Sequence, residues 1–580
     1  MLAPFAPWLL LAAIGQAAPE AALLKAAPAN VDLAIRCRGL EAARDDVIAT
    51  VKAMDSEWGN MAEGLISAQV GEIGQRHGER AVKSPFLALV RLPEAVGGGG
   101  LTFAVLLPSD DYEGTLRGFN GGKAVELKHE DGGVDSFDGP EDHGTWYAAR
   151  RAGIVAFGPS KDLVAAIAKG PAKGLDSVLT GPLGEGFLGG EAGLYVNSGP
   201  LTKRYADQIE QGRQTFEGLM DQLAQQQPGQ AGSAKLIREM FAGLIGWFKQ
   251  VDGLTYHLDF SEKSVRMAGF LKLAPGSDAA KAALGAQTLP VESLSRMPGG
   301  SAYYLGMNAS SRTIQQLLSM SMRMMQGDRE PSTEVKKATE ALYGMGRLDA
   351  IGAVSMASGV TSINEVRTSD PKGFVEHSLN LLRAMGQGEG RLGIYKEVKV
   401  EPKVESIGGL AFTHAEVTID LEKLTAMAGN APGQADAMKA MLGNGRMNYW
   451  YGAEGDRAWQ VTAPNREAAV AMIEAARKPE GRVGQLSGFK AVSSDLAHRA
   501  SLAVVLGTQE LVRMIAKQAD AAGKKLDLKL LDDMPKEPAF VGASVAPHDG
   551  EGYEFRLIVP SEVGPVLARG LIPTLQSAAE

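Results

Sequence analysis

The chain has 580 residues, which is too long for one hydrophobic core, so about two to four domains are expected. Its 45% hydrophobic and 22% charged residues are typical of a globular protein and exclude a wholly disordered one. A net charge of −9 argues against a nucleic-acid partner, because phosphate binding depends on clustered Lys and Arg.

The N-terminus has the pattern of a secretory signal. Trp8–Ile14 is a compact apolar run, and small residues follow it up to Ala17. This predicts a signal peptide over residues 1–17, cleaved after Ala17 or Ala18. No Lys or Arg precedes the run, which a start codon assigned too far downstream would explain. No later segment has the roughly 18 apolar residues that a membrane span needs. We therefore expect an extracytoplasmic protein, periplasmic or secreted, without a transmembrane segment beyond the signal peptide.

The single cysteine excludes an intramolecular disulfide. Cys37 alternates with Leu33 and Ile35 on one face of a predicted strand. This pattern predicts a buried, unreactive thiol.

A strand followed by a helix recurs along the chain. In one copy Tyr303, Leu305 and Met307 share a strand face, and a helical apolar stripe then runs from Ile314 to Met325. The other three copies begin near Leu33, Leu194 and Leu502.

A second recurrent element is a strand that ends in proline and is followed by a helix. Proline ends strand pairing, and Ser160 and Asn465 are predicted to cap the helices that follow. The element occurs around Pro108, Pro159 and Pro464.

The spacing of these elements predicts an internal duplication. Pro159 and Pro464 are 305 residues apart, and Leu194 and Leu502 are 308 apart. We expect two related tandem units, each a longer subdomain followed by a shorter one. The predicted bounds are 28–291 (28–185 and 186–291) and 292–580 (292–490 and 491–580).

The predicted fold class is α+β, with largely antiparallel sheets packed by amphipathic helices. Short polar turns such as Ser261-Glu262-Lys263 indicate hairpins. The predicted strand regions are Phe86–Leu92, Leu101–Leu107, Thr145–Phe157, Leu254–Leu273, Ile351–Arg367, Leu410–Ile419, Met447–Val461 and Tyr553–Val559.

Several clusters could bind a metal ion, but each has a simpler interpretation. The acidic loop Asp131–Asp142 lacks the spacing of a calcium-binding EF-hand and predicts a solvated hairpin. The methionines between Met320 and Met325 could bind a soft metal, yet their spacing favours a core or an apolar groove. Among the eight histidines, only His129 and His143 flank a common feature, which is this acidic loop.

No catalytic motif emerges. A GxSxG elbow and an HExxH motif are absent, and Ser487–Lys490 matches S-x-x-K without its usual partner motifs. We assign no catalytic, cofactor-binding or metal-binding residue and expect no cofactor.

The alternation of strand–helix openings with the strand-Pro-cap-helix element, as in FGPSKDLVAAIA, resembles uncharacterised exported bacterial proteins that carry a domain of unknown function. The resemblance implies an exported, duplicated α+β protein. It implies no chemistry, because that family has no established catalytic residues.

The sequence therefore favours an exported binding or scaffold protein that is not an enzyme, with an unknown protein, lipid or peptide partner. One version has an apolar groove for a lipid or peptide, and the helical stripe with Tyr205, Phe216 and Leu219 is its candidate wall. Two alternatives stay open: an extracytoplasmic hydrolase whose site assembles from distant residues, and a structural component of the cell envelope.

Overall fold

The structure is a computed structural model. It describes residues 20–77, 79–94, 102–139, 144–226, 231–310, 332–355, 359–386, 394–428, 442, 445–521 and 534–568. The predicted signal peptide and the predicted helix with Met320 to Met325 lie outside these residues.

The fold is α+β, as predicted, and the strand pairs whose register is defined are antiparallel. The helices are Leu40–Met54 (α1), Ser56–His77 (α2), Glu79–Lys83 (α3), Tyr112–Phe119 (α4), Lys161–Lys169 (α5), Gly181–Leu188 (α6), Ser198–Arg204 (α7), Ala206–Gln226 (α8), Ala231–Phe248 (α9), Asp278–Leu284 (α10), Thr333–Gly344 (α11), Pro371–Gly386 (α12), Leu421–Ala428 (α13), Arg466–Arg477 (α14), Ser487–Asp495 (α15), Thr508–Ala521 (α16) and Gly564–Val566 (α17).

Each predicted strand region contains one or two strands, and the long predicted regions are hairpins. The strands are Leu33–Cys37 (β1), Phe86–Arg91 (β2), Thr102–Pro108 (β3), Lys128–Glu130 (β4), Val134–Asp138 (β5), Thr145–Arg151 (β6), Ile154–Gly158 (β7), Ala192–Val196 (β8), Val251–Ser261 (β9), Ser264–Leu273 (β10), Leu289–Pro290 (β11), Tyr303–Ala309 (β12), Leu348–Ser355 (β13), Thr361–Arg367 (β14), Tyr395–Ile407 (β15), Leu410–Ile419 (β16), Arg446–Glu454 (β17), Arg457–Ala463 (β18), Arg499–Ala500 (β19), Leu502–Gly507 (β20), Phe540–His548 (β21) and Gly552–Pro560 (β22). Strands β15 and β21 lie outside the predicted regions.

The chain divides into two compact units. The first comprises residues 1–209, 248–281 and 550–555, and the second comprises 210–247, 282–549 and 556–580. The segment 210–247, which contains most of α8 and α9, therefore groups with the second unit, although it lies in sequence within the predicted first unit.

In the first unit the strands pair in the order β4-β5-β6-β7-β3-β2-β1-β8-β9-β10. The two-residue period of a strand sends alternate side chains to opposite faces. One face packs on α5 and α6, around Leu106 and Phe187. The other carries an aromatic cluster that includes Trp146, Phe157 and Phe119 of α4.

In the second unit the pairing order is β15-β16-β17-β18-β14-β13-β12-β20-β21. One face packs on α14 and α15, around Trp450 and Phe489. The opposite face packs on α11 and α12, around Phe374 and Val417. The sheet therefore separates two apolar layers.

The two predicted helix caps are confirmed. The Ser160 side chain accepts a hydrogen bond from the Leu163 N–H, and Asn465 accepts one from Ala468. Each thereby satisfies one of the free N–H groups at a helix start. Among the residues that the structure describes, no helix combines the length and apolar character needed to cross a membrane.

Candidate functional site: an apolar cavity in the second unit

Helix α12 forms one wall of the candidate site. It begins where Asp370 accepts a hydrogen bond from the Gly373 N–H at 2.9 Å, and Pro371 occupies its first position, where a missing N–H costs nothing. Phe374 and Leu381 recur two turns apart on its buried face. This face lies against β15, β17 and β18.

Between α12 and the sheet lies a cavity of about 420 Å³. This volume is within the range of roughly 300–1,000 Å³ that is usual for small-molecule pockets. None of the fourteen described residues that line it is charged at neutral pH. They are Met307, Leu342, Leu348, Ala350, Val366, Phe374, Ser378, Leu381, Leu382, Met385, Tyr395, Tyr449, Tyr451 and Gln460.

A few uncharged polar groups interrupt the apolar lining. Tyr451 and Gln460 are directly opposite each other on β17 and β18, and Ser378 lies on α12. The side chains of these three make no hydrogen bond with the residues that the structure describes. The Tyr451 side chain is buried and those of Ser378 and Gln460 are half-buried, and all three line the cavity where a ligand could contact them.

The tyrosines of the cavity are held in their neutral form. Burial raises the pKa of Tyr395, Tyr449 and Tyr451, because the phenolate loses its solvation. The Tyr449 hydroxyl donates to Met447 Sδ at 3.6 Å, and its ring stacks on that of Tyr451 at 6.3 Å. At neutral pH the cavity therefore presents hydrogen-bonding groups without charge.

The structure places the sequence-derived candidates elsewhere. Phe216 packs on Phe241 with their ring centroids 4.1 Å apart, while Leu219 is 53% exposed and Tyr205 donates its hydroxyl to the Pro93 carbonyl. These three residues therefore do not line the cavity.

The described part of the acidic loop comprises the turn that joins β4 to β5, with Asp131 in it, and strand β5 itself. Asp135 accepts a hydrogen bond from the Tyr112 hydroxyl at 2.8 Å and contacts His129. His143 lies outside the described residues.

Sequence reasoning missed the cavity because β15 was not predicted and because its walls come from segments more than 150 residues apart. The available signal was α12 itself, whose apolar stripe ends in Leu381, Leu382 and Met385.

Comparison with protein-family models, with curated proteins and with solved structures finds no match to this chain. The structure describes an α+β protein whose second unit has an uncharged, mainly apolar cavity.

Proposed function

We propose that the protein binds a small, mainly apolar molecule in the cavity of the second unit and acts as a binding protein rather than an enzyme. The observation that carries this proposal is the uncharged cavity of about 420 Å³ between α12 and the sheet. Pockets of this size with a mainly apolar wall and a few placed polar groups are the usual sites of small-molecule ligands.

The polar groups favour one class of ligand. A lipid-like molecule with an apolar body and a single neutral polar group, such as an alcohol or an ester, matches the apolar wall and the free groups of Ser378, Tyr451 and Gln460. A carboxylate would lack a cation among the lining residues. A peptide would bring several backbone polar groups into a wall that offers few partners.

We also propose that the two units arose by duplication, as the recurrent elements predict. Supporting this, nine strands pair in the same order in each unit: β4-β5-β6-β7-β3-β2-β1-β8-β9 in the first and β15-β16-β17-β18-β14-β13-β12-β20-β21 in the second. The helix that follows β3 is α4, and the helix that follows β14 is α12. Each is capped by an Asp, which is Asp111 for α4 and Asp370 for α12.

On this proposal the two units have diverged at the cavity. Counted from the capping Asp, Val105 of β3 corresponds to Asn364 of β14. Val105 pairs with Phe157, and Asn364 pairs with Gln460, so Gln460 corresponds to Phe157. Counting from the capping Asp, Phe119 of α4 corresponds to Ser378 of α12. In the first unit the rings of Phe119 and Phe157 lie 4.5 Å apart and pack against each other. Small or polar side chains at both positions leave the space open in the second unit.

We also propose that the protein is exported. Export is supported by the apolar run Trp8–Ile14 and the small residues after it. An extracytoplasmic carrier or sensor of a lipid-like molecule would be consistent with both the export signal and the cavity.

A cavity-filling variant tests the binding site. Ser378→Phe combined with Gln460→Phe restores the two aromatic side chains of the first unit, so binding of the neutral apolar probe N-phenyl-1-naphthylamine should weaken at least about tenfold, which is about 1.4 kcal/mol. The matched control is Glu376→Phe, which adds the same ring to the exposed side of α12. Probe fluorescence is titrated with the full chain, and circular dichroism checks folding.

The cavity is not the binding site if the double variant and the control both bind the probe as tightly as the unmodified protein.

A further inference from the structure

A local irregularity between β15 and β16 brings three metal-ligating side chains together. Val400 pairs with Ala415, and Val404 pairs with Thr413. Three residues of β15 therefore face the single residue His414 of β16, which is a bulge in the ladder. Bulges redirect side chains and are common beside functional sites. This one places Glu401 and Glu405 on either side of His414.

The three side chains converge closely enough to share one ion. One ligand atom from each of Glu401, Glu405 and His414 lies within 4.8 Å of the other two. The His414 Nδ1 atom is 3.2 Å from Glu401 Oε1. The His414 side chain is only 14% exposed, whereas that of Glu401 is 51% exposed and leaves a path from solvent.

The hydrogen bonds around His414 fix which ring nitrogen can bind an ion. The Asn448 Nδ2 atom donates to the Pro464 carbonyl at 3.0 Å, so the Asn448 Oδ1 atom faces His414 Nε2 at 3.1 Å. Since Oδ1 only accepts, Nε2 carries the hydrogen. In the neutral ring Nδ1 then directs a lone pair at the Glu401 carboxylate, an arrangement that a cation between them stabilises.

The groups that hydrogen-bond to these side chains are of the kind usually found around metal ligands. Ligating histidines usually donate their second N–H to an oxygen, and ligating carboxylates are themselves hydrogen-bonded. His414 has Asn448 in this role, and Glu405 Oε2 accepts from Arg466 Nε at 3.0 Å. The His414 ring also stacks on Trp450 with centroids 4.9 Å apart, which holds its plane. Two carboxylates and one guanidinium leave a net negative charge for the cation.

We propose that Glu401, Glu405 and His414 Nδ1 bind a divalent transition-metal ion of the Zn²⁺ class. An imidazole ligand favours Zn²⁺ and its neighbours over Ca²⁺ and Mg²⁺, which prefer oxygen alone. Three protein ligands leave a coordination position open for water. The site is separate from the cavity, because His414 and Trp450 belong to the α14 face of the sheet, whereas Ala415 and Tyr451 belong to the α12 face.

The test measures Zn²⁺ binding to the full chain at pH 7.5 by isothermal titration calorimetry, with metal content determined by mass spectrometry. The proposal expects one Zn²⁺ per chain. Glu401→Gln and His414→Gln should each weaken this binding at least about tenfold, since each removes a ligand. The matched control is Glu397→Gln on the same strand, whose carboxylate pairs with Lys399 instead. It should bind Zn²⁺ as the unmodified protein does.

Glu401 is half-exposed, so its variant folds and remains informative if His414→Gln does not. Substituting Co²⁺ gives a second readout, because its visible spectrum should change when Glu401 is replaced. The proposal is overturned if the unmodified protein binds no Zn²⁺, or if both ligand variants bind it unchanged. Probe binding in the cavity is measured in parallel and is expected to be unaffected, so failure here does not bear on the proposed function.

Discussion

At the residue scale, Tyr304 illustrates how burial raises the pKa of a tyrosine. It lies on β12 with none of its surface exposed, and its hydroxyl accepts a hydrogen bond from the Ser301 N–H at 3.1 Å. The rings of Phe489 and Phe540 surround it, with centroids 5.9 and 6.1 Å from its own. Loss of solvation raises the pKa of Tyr304 to about 12.

This pKa predicts a loss of stability in alkaline solution. Between the ordinary value of 10.0 and about 12, the unfolded tyrosine has released its proton and the folded one has not. Raising the pH through this window therefore favours unfolding, by up to about 1.4 kcal/mol per pH unit. The destabilisation caused by Tyr304→Phe should shrink as the pH rises above 10, because phenylalanine does not titrate. Urea unfolding of both proteins from pH 8 upward measures this difference. A difference that stays constant with pH would contradict the assignment.

At the scale of elements, one buried carboxylate joins three segments of the second unit. Glu365 of β14 is 1% exposed and accepts from Arg296 at 2.8 Å and from Arg457 of β18 at 3.4 Å. Arg367 lies 3.6 Å away. Arg296 ends the 3-10 helix Val291–Arg296, so the carboxylate attaches this helix to two strands.

Glu365→Gln should destabilise the protein by about 1–3 kcal/mol, because it leaves the partly buried guanidinium of Arg296 without its counter-charge. The control is Glu474→Gln on α14, whose carboxylate is 44% exposed and pairs with Lys478 just after the helix, and which should change stability by less than about 1 kcal/mol. Chemical denaturation provides both values. Equal effects of the two substitutions would show that the arginines do not depend on Glu365.

Element types were predictable wherever one physical cause dominated. The alternation of apolar and polar residues predicted β16. The capping residues Ser160 and Asn465 predicted where α5 and α14 begin. Strand β15 was missed because it is rich in Glu and Lys, which are depleted in strands, and because its bulge interrupts the two-residue period.

The sites were harder to predict for a different reason. Periodicity indicates which residues face inward, but not whether their combined volume fills the space between distant elements, so Ser378 and Gln460 carried no signal of a cavity. Likewise, Glu401 and His414 come together only through the register of the bulge.

At the scale of the whole molecule, the equal strand orders and unequal interiors of the two units are the main features. The offsets from Pro159 to Pro464 and from Leu194 to Leu502 predicted two related tandem units, which stays a prediction. They could not predict that the contacts of segment 210–247 place it in the second unit, since contact partners are not encoded in a repeat spacing. The units therefore differ in how they are built from the chain, and aromatic rings in the first unit take the positions of Ser378 and Gln460 in the second unit.

This difference predicts the binding stoichiometry. On the proposed divergence of the units, the unmodified chain should bind one molecule of N-phenyl-1-naphthylamine, because Phe119 and Phe157 stand in the first unit where Ser378 and Gln460 line the cavity in the second. Replacing them by the residues of the second unit, Phe119→Ser with Phe157→Gln, should create a second site. The cost should be roughly 3–5 kcal/mol of stability for each ring removed. Fluorescence titration gives the stoichiometry, and urea denaturation gives the cost. Two bound probes in the unmodified chain would contradict the divergence of the units, and a folded variant that still binds one would show that these two rings alone do not close the first unit.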